Sequence, residues 1–117
     1  MQQLYPQIWI GEGAFTLPSR SKAQINYRMK NKGLGLMENM DVTLFLNYTL
    51  YLDVQFYVDG NQFPAKCTTF QCGVVIPSVD PESDHDIEIL LFFDKSKKES
   101  VLTTGIDLEY YHNQVFD

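Results

Sequence analysis

The stretch DVTLFLNYTLYLDVQFYVDGNQ, residues Asp41 to Gln62, decides the fold. From Val42 to Val58 every even-numbered residue is apolar or aromatic: Val42, Leu44, Leu46, Tyr48, Leu50, Leu52, Val54, Phe56 and Val58. The odd positions are mixed and include Thr43, Asn47, Thr49, Asp53 and Gln55. Strand side chains alternate between two faces, so this is one buried β face written over the whole run. Asp59-Gly60 follows at once, and both residues tolerate the positive φ of a two-residue hairpin turn. At ~3.3 Å per residue a straight strand of this length would reach about 56 Å. A compact chain of this size has a diameter near ~35 Å. The run is therefore expected to bend, or to split near Asn47 or Asp53, with a switch between two sheets.

Outward from this run the pattern stays β. Gln7 to Ile10 and Gly13 to Leu17 are short strand candidates, separated by Gly11-Glu12-Gly13. Ala23, Ile25, Tyr27 and Met29 alternate with Gln24, Asn26, Arg28 and Lys30, a half-buried strand with a basic outer face. Lys30 to Asn39 reads as a loop with one helical turn at Leu36 to Met40. After the Asp59-Gly60 turn, Gln62 to Phe70 returns as a strand, with Pro64 at an edge or bulge. Val74 to Ile76 is short, and Pro77 to Asp86 is an acidic loop. Ile87, Ile89, Leu91 and Phe93 share a face of the next strand, with Leu90 and Phe92 on the other. Asp94 to Ser100 is a charged connection, Val101 to Thr103 starts a strand, and Ile106, Leu108 and Tyr110 alternate in the last one. Val115 and Phe116 in the tail are positioned to dock on a neighbour. Leu46, Leu52, Val54, Phe56, Ile89 and Leu91 are the expected core. With frequent turn signals and no long helical period, the expected fold is all-β: one antiparallel β-sandwich, C2-like or jelly-roll-like, of about eight strands, over 1–117 as a single domain.

Composition bounds function. The chain has 117 residues, 44% of them hydrophobic and 14% aromatic, enough for a core without metal or covalent staples. The first residues lack a basic segment followed by a long apolar run. The expectation is a chain that stays cytoplasmic in the producing cell, released by lysis or a non-Sec route. Cys67 and Cys72 have neither redox nor zinc spacing and read as buried thiols, with a disulfide requiring Cα atoms within ~7 Å. The net charge of −6 is uneven. Residues 1–40 hold five basic side chains against two acidic ones, and residues 41–117 hold four against thirteen. Two opposite patches follow if folding keeps the halves apart.

Chemistry-bearing residues are few. Asp80, Glu82, Asp84 and Asp86 alternate around His85. In a sandwich-end loop, Asp80, Asp84 and Asp86 are calcium candidates of the kind used by C2 domains, although a solvated turn is the default and no metal is assigned. Nothing marks a nucleophile beside His85 or His112, and no G-x-S-x-G or H-E-x-x-H occurs, so no catalytic residue is named. Gly33-Leu34-Gly35 is a loop rather than a dinucleotide site, and no cofactor is indicated. Trp9, Phe15 and Tyr27 beside Arg20, Lys22, Arg28, Lys30 and Lys32 make an OB-like single-stranded nucleic-acid binder the alternative function. The acidic remainder of the chain opposes it, so nucleic acid is not the expected partner. A small hydrolase is the second alternative. Phe45, Tyr51 and Tyr57 recur six residues apart on the polar side of the central run and are the candidate interaction residues.

With its long strand through Leu44 to Val58, its Asp59-Gly60 turn, its aromatic richness and no export signal, the chain resembles the small prophage β-sandwich proteins of the XepA/YomS group. That resemblance implies a C2-like sandwich that assembles into a homo-oligomer, possible as a ring, in a phage context linked to lysis or export. It also implies a membrane or envelope target. The expected function is a non-enzymatic binding or assembly module.

Overall fold

The computed structural model describes residues 4–112. Among the described residues ten strands form two antiparallel sheets. They are β1 (Ile8–Ile10), β2 (Ala14–Ser19), β3 (Lys22–Asn31), β4 (Met37–Phe45), β5 (Asp53–Val58), β6 (Asn61–Phe63), β7 (Lys66–Cys67), β8 (Gln71–Val79), β9 (Ser83–Phe92) and β10 (Asp107–His112). The first sheet runs β1-β3-β9-β5-β6, with β2 also on β3; the second runs β10-β4-β8-β7. β1 pairs the end of β3 at Met29 to Asn31 and β2 its beginning, so together they make one split edge. The sandwich holds its core between the sheets. Ala23, Ile25, Met29, Val54, Phe56, Ile87, Ile89 and Leu91 come from one sheet, and Met37, Met40, Val42, Leu44, Val74 and Ile76 from the other.

The central run splits, and it changes sheet. β4 belongs to the second sheet and β5 to the first, so the even-numbered apolar face lines the same core from opposite sides. The molecule measures 59 × 24 × 22 Å, longer than a compact sphere, so length alone does not forbid a continuous strand. The break is local. Asn47 Oδ1 accepts from Thr49 N at 3.2 Å and caps a 3-10 turn at Tyr48–Leu50. Tyr48 N donates to the Thr69 carbonyl, and pairing resumes only when Leu52 N reaches Phe92 O at 2.7 Å. The turn also shifts the alternation, which corrects one core assignment. Leu52 is 73% exposed, and Tyr51 takes the buried place.

The Asp59-Gly60 hairpin is present, with φ of 50° and 81°. Its returning strand is shorter than expected. β6 stops at Phe63 before Pro64, and the chain crosses to the second sheet as β7. Cys67 and Cys72 face each other across β7 and β8 and are joined in a disulfide, not left as thiols. Register pairing brings their Cα atoms to 4.0 Å, which spacing alone does not reveal.

Three other segments differ from expectation. Leu36 to Met40 is not helical: β4 starts at Met37, and Asn39, whose φ is 51°, is passed over in the pairing with β8 between Glu38–Ser78 and Met40–Ile76. The acidic segment is not one loop, because β8 continues to Val79 and β9 begins at Ser83. Val101 to Thr103 belongs to a short helix, α1 (Lys98–Thr103), which follows a 3-10 turn whose N-cap Asp94 accepts from Ser96 N at 2.9 Å. Val101 buries its side chain there. Val115 and Phe116 lie outside the described residues.

One buried polar residue organises the end of the sandwich. Asn31 continues the inward parity of Ala23, Ile25 and Met29 and is 1% exposed. Its Oδ1 accepts from Gln7 N and Gly33 N, both at 3.0 Å. Its Nδ2 donates to the carbonyls of Gly35 at 2.9 Å and Val79 at 3.2 Å. It thereby ties the N-terminal segment, the β3–β4 loop and β8 together. Gly33 and Gly35 are needed there, since a Cβ on either would fall against the backbone of residues 4–7.

Candidate functional site

The outer face of the first sheet is built by register. β3 lies against β9, so Asn26 stands beside Glu88, Arg28 beside Asp86 and Lys30 beside Asp84. On the other side of β9, β5 brings Tyr57 level with Glu88 and Gln55 level with Leu90. β2 adds Ala14 beside Asn26. Of these, Ala14, Asn26, Arg28, Tyr57, Asp86 and Glu88, with Glu12 and the Asp59-Gly60 turn, line a groove of about 590 Å³. Polar groups along the face are already linked: Arg28 Nη1 donates to Asp86 Oδ1 at 2.9 Å, Gln24 Nε2 to Glu88 Oε2 at 3.2 Å, and Tyr57 Oη to Gln55 Oε1 at 2.6 Å.

Asp59 is held in this groove through both carboxylate oxygens. Its Oδ1 accepts from Asp86 N at 2.9 Å and its Oδ2 bonds His85 Nδ1 at 2.6 Å. The Asp86 amide, and after it the His85 ring, hold its carboxyl below the usual carboxylate range. His85 Nε2 lies 2.8 Å from Ser83 Oγ. These are the distances of a Ser–His–Asp triad, and sequence inspection missed them. Ser83 and His85 are two apart on one strand face, which was visible; Asp59 comes from a distant turn, which was not.

Proton accounting separates this chain of bonds from a nucleophilic one. Ser83 Oγ also donates to the Asp80 carbonyl at 2.6 Å. A carbonyl and an ionised carboxylate only accept. Ser83 has a single hydroxyl proton, and given to the Asp80 carbonyl it is not available to His85 Nε2, the bond through which a general base would activate a serine. The groove of about 590 Å³ is lined by Asp59 and not by Ser83. The chain therefore braces Asp59.

The other candidates are dispersed. Asp80 sits in the β8–β9 turn, while Asp84 and Asp86 point outward from β9 toward Lys30, at 3.9 Å, and Arg28. Paired with β3, the calcium candidates do not converge. Among the described residues no group of three or more acidic, His or Cys side chains is placed to hold a metal ion. The same pairing sets Arg28 and Lys30 of the basic early segment against Asp86 and Asp84 of the acidic later one. No family model matches this chain, and no curated protein matches it. Trp9, Phe15 and Tyr27 do not share a platform. Trp9 is level with Lys30 on the outer face and has Lys30 and Lys32 over its ring at 5.6 and 5.1 Å. Phe15 is level with Ile25, and both line with Tyr27 a second groove at the open side of the sandwich. Two stacked sheets also replace the closed barrel of an OB-fold.

Phe45, Tyr51 and Tyr57 also separate, because their strand is two strands. Phe45 lies on the second sheet and is exposed, Tyr51 is buried, and Tyr57 is half-buried in the wall of the groove. Of the three, Tyr57 alone lines it. No helix among the described residues is long and apolar enough to cross a membrane.

Proposed function

We propose that this chain is a non-enzymatic binding module that takes a polar ligand in the groove across its first sheet. The carrying observation is the bracing of Asp59: both carboxylate oxygens are held by the protein, at a groove of ligand size. A side chain fixed before binding loses little freedom on binding, which is how a site differs from ordinary polar surface. Glu88, Asn26, Arg28 and Tyr57 complete the wall. The prophage setting, the homo-oligomer and the envelope target implied by the XepA/YomS resemblance form the biological part of this proposal. Genomic neighbours test that part: lysis or tail genes support it, and replication genes favour a nucleic-acid role.

Thermal shift against a panel of saccharides, nucleotides, polyamines and short peptides tests the groove. At least one probe should raise the melting temperature of the wild type, as mass action requires, and leave Glu88→Ala unmoved. A panel with no such probe overturns the reading. Turnover of an activated ester that disappears in Ser83→Ala overturns its non-enzymatic part.

A further inference from the structure

We infer that the ligand of this groove is a neutral oligosaccharide, an inference that rests on reading the groove as a binding site. The first argument is charge. Glu12, Asp59, Asp86 and Glu88 line it against Arg28 alone, so a phosphate or nucleic acid meets repulsion. Two of these charges already have partners within the protein: Arg28 in Asp86, and Asp59 in the Asp86 amide and His85. A neutral ligand can add to these bonds without displacing them.

The second argument is the kind of polar group. Asn26, Arg28, Glu88 and Asp59 end in planar forks that present two adjacent polar atoms. Neighbouring hydroxyls on a sugar ring offer a donor and an acceptor side by side, so one fork engages two hydroxyls. The strands repeat such forks at ~4.8 Å intervals across the sheet. Carboxylates accept from hydroxyls, and Arg28 has further N–H groups to donate besides the one bound to Asp86.

The third argument is Tyr57. Its ring is half-buried in the groove wall, and its hydroxyl is anchored on Gln55 at 2.6 Å. A held aromatic ring is a surface for the apolar C–H face of a sugar. An extended peptide is read mainly through the free edge of a sheet. Here β9 and β3 are both paired on either side, so their backbone groups are used in the ladder and only side-chain chemistry is available.

Amide NMR titration of the whole chain tests this with cellohexaose, chitohexaose and xylohexaose as neutral probes. Oligogalacturonate and spermine serve as charged ones. At least one neutral probe should shift amides of Asn26, Tyr57 and Glu88. Tyr57→Ala and Asn26→Ala should each weaken that binding about tenfold, and Thr43→Ala on the opposite sheet should leave it unchanged. No groove shift from any neutral probe at ~10 mM, where even a millimolar site would be mostly filled, overturns the inference. So does binding that survives both groove substitutions undiminished. If a charged probe shifts the groove and the neutral ones do not, the saccharide falls while the ligand groove stands. If no probe shifts it, both fall.

Discussion

At the scale of single residues, two buried polar groups have opposite consequences. Asn31 makes all of its four bonds inside the protein. Replacing it by Ala leaves backbone groups of three segments without partners, and each such orphan costs about 1–3 kcal/mol. Urea denaturation of Asn31→Ala should show a loss of at least about 2 kcal/mol. Tyr51 is the reverse case. It is 7% exposed, and its hydroxyl has no hydrogen-bond partner among the described residues. Burial raises the pKa of its phenol. Tyr51→Phe removes a desolvated hydroxyl and keeps the ring, so its stability should equal or exceed that of the wild type; a loss above ~1 kcal/mol would contradict the orphaned hydroxyl. Asp59 gives a pH dependence. Its pKa is lowered in the folded chain by the Asp86 amide and then by His85. A depressed carboxyl contributes stability above its unfolded pKa of about 3.9, and that contribution disappears as pH falls through the folded value. Asp59→Asn should be less stable than wild type at pH 6, and the difference should shrink below about pH 4. A difference that grows in acid would reverse the sign.

At the scale of elements, the β7–β8 hairpin carries a cross-strand disulfide that closes a loop of sequence separation 5. A loop so short restricts the unfolded chain modestly, by about 2 kcal/mol in the chain-entropy model. Cys67→Ser with Cys72→Ser should therefore lower the denaturation free energy by about that amount and leave the fold intact. Far-UV circular dichroism would show whether the fold is kept. The same hairpin receives Leu46 N and Tyr48 N on the carbonyls of Phe70 and Thr69. It thereby braces the point where the central run leaves the second sheet. Alternation identified the strands on either side of that point. It did not identify the 3-10 turn, whose apolar residues Tyr48 and Leu50 keep the even-numbered pattern while the backbone turns. Leu52 was misread for the same reason. α1 was missed because a helix of six residues is too short to display a period, and Val101 is its only buried residue.

For the molecule as a whole, connectivity decides how it unfolds. The chain passes between sheets after β3, β4, β6, β8 and β9. Neither sheet is a continuous piece of chain, and both contribute to one core. Unfolding should therefore be a single cooperative transition. Trp9, on the edge of the first sheet, reports that sheet by fluorescence, and circular dichroism reports both. The two melting curves should coincide. A circular dichroism transition without a fluorescence counterpart would show the second sheet melting alone. Interleaved strands also offset part of the charge asymmetry between the two parts of the sequence. Arg28 and Lys30 meet Asp86 and Asp84 across a strand pair. These pairs are exposed, and each contributes little to stability.

The sequence by itself determined the class of fold, the placement of most core side chains and the hairpin at Asp59-Gly60. Those depend on local alternation, and on φ preferences that each residue carries with it. It also required the central run to change sheet, although for a reason of length that the elongated shape does not support. Only the tertiary structure decided which strands are neighbours. From that followed the disulfide, the dispersal of Asp80, Asp84 and Asp86, the burial of Tyr51, and the groove. Asn26, Tyr57, Asp59 and Glu88 reach that groove from three strands and a turn, separated in sequence by up to 62 residues. Strand pairing is a long-range choice, made by the fit of whole faces around one core, and no short window of residues records it.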